Sequence, residues 1–402
     1  MVERILIVGA GQAAAQAVAT LRAEGFAGAL TMVGDEPYAP YQRPPLSKTY
    51  LAGTFERERL FLKPDAFYAE ARCELILGVP ARAIDRAAKT LALADGRVLA
   101  YDKLLIATGS RVRRIQVPGA ELPGIHYLRS IADVDGLRPA FKTARHLAVV
   151  GGGYIGLEVA AVARKYGLAV TVFEAMDRVM ARAVSRPVSA FYEEVHRQAG
   201  VAFALNTGVE AFEGGRRLEA VRAGGRRFEA DVALVGIGIV PNHELAKAVG
   251  LDSGDGIRVD EFCATGDPAI FAAGDCTRHH GRDGHLIRLE CVQNAIDQAK
   301  HAALAMVGKP TPYREVPWFW SDQYDLKLQI AGLAWPEDRI VLRGDQKARK
   351  FAVFHLRDGK VAAVEAVNAA PEYIVGRKLI ADGQRVAAER LADTTVPMKN
   401  IT

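Results

Sequence analysis

The stretch His146-Leu-Ala-Val-Val-Gly151-Gly-Gly153-Tyr-Ile-Gly156-Leu-Glu158 decides the fold. Its first five residues read as a buried strand. The glycines at 151, 153 and 156 read as a tight turn, and the apolar-periodic run to Lys165 as a helix. A second apolar strand, Ala169 to Phe173, follows and ends in Glu174. This is the strand–turn–helix–strand order of a dinucleotide-binding unit, with an acid placed for ribose hydroxyls. The order occurs once before, in Arg4-Ile-Leu-Ile-Val-Gly9-Ala-Gly11-Gln-Ala-Ala14, then an alanine-rich helix from Ala15 to Glu24 and a strand from Ala29 to Val33 ending near Asp35-Glu36. Ala14 stands where the third glycine is usual, and its methyl is small enough for close helix–strand packing.

A single glycine pattern is weak evidence, but two copies in full context predict two dinucleotide sites. The glycines admit a pyrophosphate close to the backbone, and the helix N-terminus offers unpaired N–H groups and a positive dipole end. The repetition continues. Each half carries a two-stranded stretch reversed at Asp95-Gly96 or Gly224-Gly225, then a buried strand, Tyr101 to Gly109 or Ala230 to Gly238. The chain therefore reads as α/β, with two Rossmann-like units, each with an inserted β-meander, and a different C-terminal α+β region from about Trp318. In that region Leu326 to Gly332, Arg339 to Arg343, and Phe351 to Val367 folded at Asp358-Gly359 read as strands. Pro371-Glu372 opens a helix expected to end near Gly383.

Composition narrows the function. The 402 residues are 50% hydrophobic and 25% charged, which suits a globular enzyme and excludes a disordered or collagen-like chain. A net charge of +5 is too mild for a dedicated nucleic-acid binder but permits a local basic patch. No apolar run approaches the ~18 residues of a membrane span. The first strand follows Met1 almost at once, so no signal or transit peptide is expected. Four scattered cysteines (Cys73, Cys263, Cys276, Cys291) suit free thiols in a cytoplasmic location and no metal site.

Thr265-Gly-Asp-Pro-Ala-Ile-Phe-Ala-Ala-Gly274-Asp275 reads as a strand ending in Gly-Asp, with Asp275 placed to meet a flavin's polyol chain. With Ala107-Thr108-Gly109 and the two glycine turns, these residues resemble the pyridine-nucleotide–disulfide oxidoreductase superfamily in its glutathione-reductase-like form. The resemblance implies FAD in the first unit (1–112 and 248–317), NADH in the inserted unit (113–247), and a C-terminal domain at 318–402. Members of that superfamily pass electrons from flavin to a cysteine pair, or keep a single cysteine beside it. The corresponding segment here, Pro40-Tyr-Gln-Arg43-Pro44-Pro45-Leu-Ser-Lys48, has none. Electrons are thus expected to leave directly for an external acceptor.

That segment, Gly-Gly-Gly-Tyr-Ile-Gly-Leu-Glu and Trp318-Phe-Trp320-Ser-Asp-Gln-Tyr324 together resemble a narrower group along the whole chain. It is the putidaredoxin reductase-like ferredoxin reductases, which serve bacterial cytochrome P450 and Rieske dioxygenase systems. The resemblance implies hydride transfer from NADH to FAD and single-electron delivery to an acidic [2Fe–2S] ferredoxin, by a monomer or weak homodimer. It places FAD contacts at Gly9, Gly11, Ala13, Ala14, Asp35 or Glu36, Arg43, Pro45, Lys48, Ala81, Thr108, Gly109, Arg129, Gly274, Asp275 and Val292. It places NADH along Gly151, Gly153, Tyr154, Ile155, Gly156 and Glu158, with its adenine ribose at Glu174. Arg182 and Arg178 then lie against the pyrophosphate or adenine edge, and Gly236 to Gly238 closes over the nucleotide. An ion pair between Lys48 and Glu158 is expected beneath the flavin, with Trp320 over its outer face. Lys63 and Lys300 are expected on the ferredoxin-docking face. An NADH oxidase, a rubredoxin reductase and a redox-dependent binding module like the apoptosis-inducing factors remain alternatives on this scaffold.

Overall fold

The computed structural model describes residues 2–401, which divide into two compact units. The first comprises residues up to Gln42, Arg57–Arg111 and Val240–Glu315. Its centre is a parallel sheet in the spatial order Ile270–Ala272, Lys103–Ile106, Arg4–Val8, Ala29–Val33, Cys73–Ile76. A sheet covered on both faces needs apolar residues at every position, because alternate side chains point to opposite faces. Ile5 and Ile7 accordingly pack toward helices Gln12–Ala23 and Val292–Met306, with Leu105 and Phe271. Leu6 and Val8 pack with Leu104, Ile106, Ile270 and Ala272 against Ile84, Leu91 and Leu93 of a meander. The two helices meet through Ala14, Ala17, Ala295, Ala299, Ala302 and Ala303, small side chains that let them approach closely.

The second unit comprises Arg43–Glu56, Val112–Ile239 and the residues from Val316 onward. Its parallel sheet runs Val201–Ala204, Ala169–Phe173, His146–Val150, Val232–Val235, Ile125–His126. Helix Tyr154–Lys165 follows the glycine turn, and helix Arg186–Gln198 lies in the chain between strands Ala169–Phe173 and Val201–Ala204. A separate antiparallel sheet contains, in spatial order, Trp318–Gln323, Leu326–Gly332, Lys360–Val367, Lys350–Arg357 and Arg339–Asp345. Helix Ala370–Asp382 packs on it, with Gly376 lying so close that a Cβ there would sit 2.8 Å from Val364 Cγ1.

The expected α/β class and C-terminal domain are present, and the helix stops at Gly383 in the left-handed conformation (φ +64°). Asp358 and Gly359 both take positive φ at the hairpin turn. Each meander has three strands where two were expected. The additional strands, Ala81–Asp85 and Val209–Glu213, each bury one side chain fully, Ile84 and Phe212, so they carry almost no readable alternation.

Candidate active site

In the first unit, most of the candidate residues sit where four parallel strands end at their carboxyl edge, the usual position of a ligand on such a sheet. Gly9 follows Arg4–Val8 with φ +113°, and a Cβ on it would lie 2.1 Å from the Ala107 carbonyl oxygen. Only glycine fits. Gly11 caps helix Gln12–Ala23 without any side-chain hydrogen bond to the helix start, and open space surrounds its Cα where a Cβ would project. The first-turn N–H groups are therefore not satisfied by a capping side chain. Ala13 and Ala14 are buried beneath them. After the next strand, Asp35 is exposed, while Glu36 is held by a hydrogen bond from the Tyr41 hydroxyl at 2.6 Å.

Thr108 follows Lys103–Ile106. Its hydroxyl donates to the Asn242 carbonyl at 2.5 Å, and the Asn242 amide donates back to the Thr108 carbonyl at 3.0 Å. Gly109 and Gly274 both take positive φ. Asp275 accepts from the Ser110 hydroxyl at 2.8 Å, and the Gly274 N–H donates to Gln298 Oε1 at 2.8 Å. Val292 is the first residue of its helix, whose cap, Cys291, makes no side-chain hydrogen bond to the helix start. Ala81 opens the first meander strand. Two helix N-termini without side-chain caps, a glycine cradle and a fixed carboxylate suit a dinucleotide carrying a polyol and a pyrophosphate.

Cys73, Cys263 and Cys276 are buried, and Cys291 is half-buried. Burial, with Asp275 adding a smaller contribution, pushes the Cys291 thiol up to about 11. Thiolate therefore appears only as pH rises toward that value, and iodoacetamide at pH 7 should label Cys291 far more slowly than an ordinary exposed thiol. Rapid labelling at pH 7, read by mass spectrometry, would contradict this placement. No group of His, Cys, Asp or Glu able to hold a metal ion occurs among the described residues.

The second cradle repeats the first. A Cβ on Gly151 (φ +106°) would lie 2.4 Å from the Gly236 carbonyl oxygen, and one on Gly156 would lie 2.2 Å from that of Gly151. Gly153 caps the helix without a side-chain hydrogen bond and has nothing near its missing Cβ. The Glu174 carboxylate accepts from the backbone N–H of Gly152 at 2.7 Å and of Met176 at 2.8 Å, so it is fixed beside the glycine turn. Arg182 is exposed, with its guanidinium 3.9 Å from where a Gly238 Cβ would be. Arg178, expected beside it on the nucleotide, instead donates to the carbonyls of Val184 and Ala181, which occupy it within its own loop. Ile155 is 43% exposed at the start of the helix, and the Tyr154 ring lies against Phe319 at 4.6 Å.

Glu158 carries three side-chain bonds in this unit. It is buried on helix Tyr154–Lys165, with Lys48 Nζ 2.8 Å from Oε2, the Ser47 hydroxyl donating to Oε2 at 2.5 Å and the Ser321 hydroxyl donating to Oε1 at 2.6 Å. The expected Lys48–Glu158 pair is present. It is built by the short 3₁₀ turn Pro44–Ser47, in which the Pro45 carbonyl accepts from the N–H groups of Lys48 and Tyr50. Arg43, just before it, donates to the Arg129 carbonyl at 2.6 Å. Ser47 and Ser321 were not anticipated. Ser47 was hidden beside the charged Lys48, whereas the two-residue period of strand Trp318–Gln323 gave a readable signal for Ser321. On that strand Phe319, Ser321 and Gln323 share one face, and Trp318 and Trp320, 5.5 Å apart, share the other. Trp320 thus points to the face opposite Ser321.

Of the two lysines expected at a docking face, both in the first unit, Lys63 Nζ lies 4.9 Å from the centre of the Phe67 ring. Lys300 pairs with Asp297 of its own helix at 3.0 Å.

Comparison with known proteins gives the family. Residues 3–303 match the pyridine nucleotide-disulphide oxidoreductase family and residues 318–402 match a reductase C-terminal domain. A probable ferredoxin reductase of Castellaniella defragrans is 46% identical, the alignment covering 98% of this chain and 97% of the relative. The chain belongs to the pyridine nucleotide-disulphide oxidoreductases, in their ferredoxin reductase branch. The ferredoxin–NAD(+) reductase component of an anthranilate 1,2-dioxygenase system from Burkholderia cepacia is 42% identical, with 98% of each chain covered. The crystal structure of a covalent putidaredoxin reductase–putidaredoxin complex superposes with a TM-score of 0.96 at 40% identity, covering 99% of this chain and 98% of that one. The reductase is thus an oxidoreductase whose family uses a flavin and a nicotinamide nucleotide. None of its helices, among the described residues, is long and apolar enough to cross a membrane.

Proposed function

We propose that the reductase takes hydride from NADH onto FAD and passes electrons singly to an acidic [2Fe–2S] ferredoxin, which feeds a P450 or Rieske oxygenase. The pair of glycine cradles at the carboxyl edges of two parallel sheets carries this reading. In it, residues 1–112 and 248–317 hold FAD, 113–247 hold NADH and 318–402 form the C-terminal domain. FAD, when bound, supplies a group that accepts two electrons together and can release them one at a time.

The protein's own residues have distinct tasks. Gly9, Gly11, Ala13 and Ala14 receive a pyrophosphate on backbone N–H groups, and Asp35 or Glu36 holds the adenosine ribose. Thr108, Gly109, Asp275 and Val292 meet the flavin side of the molecule, with Ala81, Arg43 and Arg129 contributing backbone and charge. Gly151, Gly153 and Gly156 receive the NADH pyrophosphate, with Tyr154 beside them, while Ile155 and Glu158 lie near its nicotinamide. Lys48, held by Glu158, sets the charge at the flavin's reactive edge; Pro45 shapes the turn that carries it and Trp320 shields the ring from water.

Glu174 selects NADH, because its fixed carboxylate accepts from ribose hydroxyls and repels a 2′-phosphate. Glu174→Lys should lower the NADH-over-NADPH ratio of kcat/KM by about a hundredfold, from a lost charge-assisted hydrogen bond and a gained ion pair. An unchanged ratio would contradict this role.

Ferredoxin docking at Lys63 and Lys300 is electrostatic and transient, by a reductase that is a monomer or weak homodimer. Raising salt from about 0.05 to 0.5 M should slow ferredoxin-dependent cytochrome c reduction by roughly tenfold or more while leaving ferricyanide reduction nearly constant. Equal salt sensitivity of both acceptors would refute charge-steered docking. Fast NADH oxidation by oxygen alone would favour an oxidase. Slow turnover with every ferredoxin, together with an NADH-dependent change of oligomeric state, would favour a redox-dependent binding module.

A further inference from the structure

A line of buried polar side chains extends from Glu158 to the tip of the hairpin between Trp318–Gln323 and Leu326–Gly332. Ser321 Oγ lies 2.6 Å from Glu158 Oε1, and Gln323 Nε2 lies 3.2 Å from Ser321 Oγ. Gln323 Oε1 lies 2.8 Å from His196 Nε2, and the Tyr324 hydroxyl lies 3.1 Å from His196 Nδ1. Ser321 and His196 are 0% exposed, Gln323 1% and Glu158 3%. A buried polar group without a partner is costly, so each of the four keeps one, and here the partners join into a single unbroken line.

The donors and acceptors can be ordered from one end. A carboxylate has no hydrogen to give, so Ser321 must donate its only proton to Glu158. The Ser321 oxygen then accepts, so its neighbour Gln323 must present its NH₂ and turn its carbonyl toward His196. His196 must therefore carry its proton on Nε2 and offer Nδ1 to the Tyr324 hydroxyl. Each group has one orientation, and all are set by the charge on Glu158. Burial depresses the His196 imidazole to about 4, so it is neutral at pH 7, as this order requires.

We propose that Ser321, Gln323 and His196 are positioning residues for the Lys48–Glu158 pair, forming a one-directional hydrogen-bond chain that holds the Glu158 carboxylate in the geometry Lys48 needs. The inference rests on the proposed role of Lys48 and Glu158 in hydride transfer. The chain joins the C-terminal sheet to helix Tyr154–Lys165 and helix Arg186–Gln198, so one face of strand Trp318–Gln323 serves the pair while the other carries the tryptophans.

The test combines kinetics with the histidine tautomer. In the holoenzyme, ¹⁵N NMR should show His196 neutral and protonated at Nε2. Ser321→Ala removes the group that fixes Gln323, so the Nδ1-protonated form should appear at His196, two side chains away. Pre-steady-state flavin reduction by NADH should slow about tenfold in Ser321→Ala and in Gln323→Leu, with the apparent NADH Kd within twofold of the parent. Ser321→Thr, which keeps the hydroxyl, should restore most of the rate. Unchanged tautomer in Ser321→Ala, an unchanged hydride-transfer rate in both variants, or no recovery with threonine would overturn the proposal. The two readings separate cleanly. If Lys48→Met slows hydride transfer and Ser321→Ala does not, the positioning chain fails alone; if Lys48→Met has no effect, the underlying role of the pair fails.

Discussion

Lys48→Met is expected to slow flavin reduction by NADH by roughly a hundredfold, the scale seen when one preorganised hydrogen-bond donor is removed from a reacting centre. Methionine keeps the length and apolar stem of lysine but leaves Glu158 with two serine donors and no cation. Truncating one partner of a buried pair is costly because the other charge stays buried. Flavin content should stay near that of the parent, since Gly9, Gly11 and Asp275 are untouched. Stopped-flow bleaching of flavin absorbance under anaerobic conditions measures the step directly. A rate within twofold of the parent would remove Lys48 and Glu158 from the chemistry.

The second large effect concerns the first cradle. Gly9→Ala places a methyl 2.1 Å from the Ala107 carbonyl oxygen on a residue with φ +113°, so strand Arg4–Val8 and the Ala107–Gly109 turn must separate where the pyrophosphate is proposed to lie. Flavin per protein, read from the ratio of visible to ultraviolet absorbance, should fall below about a tenth of the parent value. Gly25→Ala is the control for backbone strain alone. Gly25 has φ +84° but nothing within 4 Å of the added methyl, so this variant should lose about 1–2 kcal/mol of stability and keep its flavin. Stoichiometric flavin in Gly9→Ala would place the cofactor elsewhere.

Both effects come from features legible in the sequence to different degrees. The glycine turns were readable because their chemistry is local: a strand, a residue that tolerates positive φ and a helix lie within about fifteen positions. The Lys48–Glu158 pair was readable only through a family resemblance, since 110 residues separate its members and no periodicity links them. Ser47 was hidden beside the charge of Lys48. His196 was hidden because a buried histidine looks the same in sequence whether it caps, packs or joins a network, whereas the two-residue period of strand Trp318–Gln323 did mark Ser321. The meander strands Ala81–Asp85 and Val209–Glu213 escaped notice for an energetic reason: each is held mainly by backbone pairing and one apolar side chain. Arg178 illustrates the opposite error. A basic residue near a nucleotide motif invites a phosphate role, but two carbonyls of its own loop use its guanidinium.

The segment Pro40–Lys48 holds no cysteine, and the thiols elsewhere in the fold are poorly placed to act as redox partners. Three of the four are buried, and Cys291 is held as a thiol well above neutral pH. A thiol in that state is a poor partner for reversible two-electron exchange.

The most direct test is an anaerobic electron count. Purified holoenzyme, a limiting amount of NADH and excess oxidised [2Fe–2S] ferredoxin are mixed, and the loss of nicotinamide absorbance is compared with the reduction of the iron–sulfur chromophore. Two ferredoxins should be reduced for each NADH consumed, with no reduction when the flavin has been removed. Rapid NADH consumption by the flavin with the ferredoxin left oxidised would contradict it.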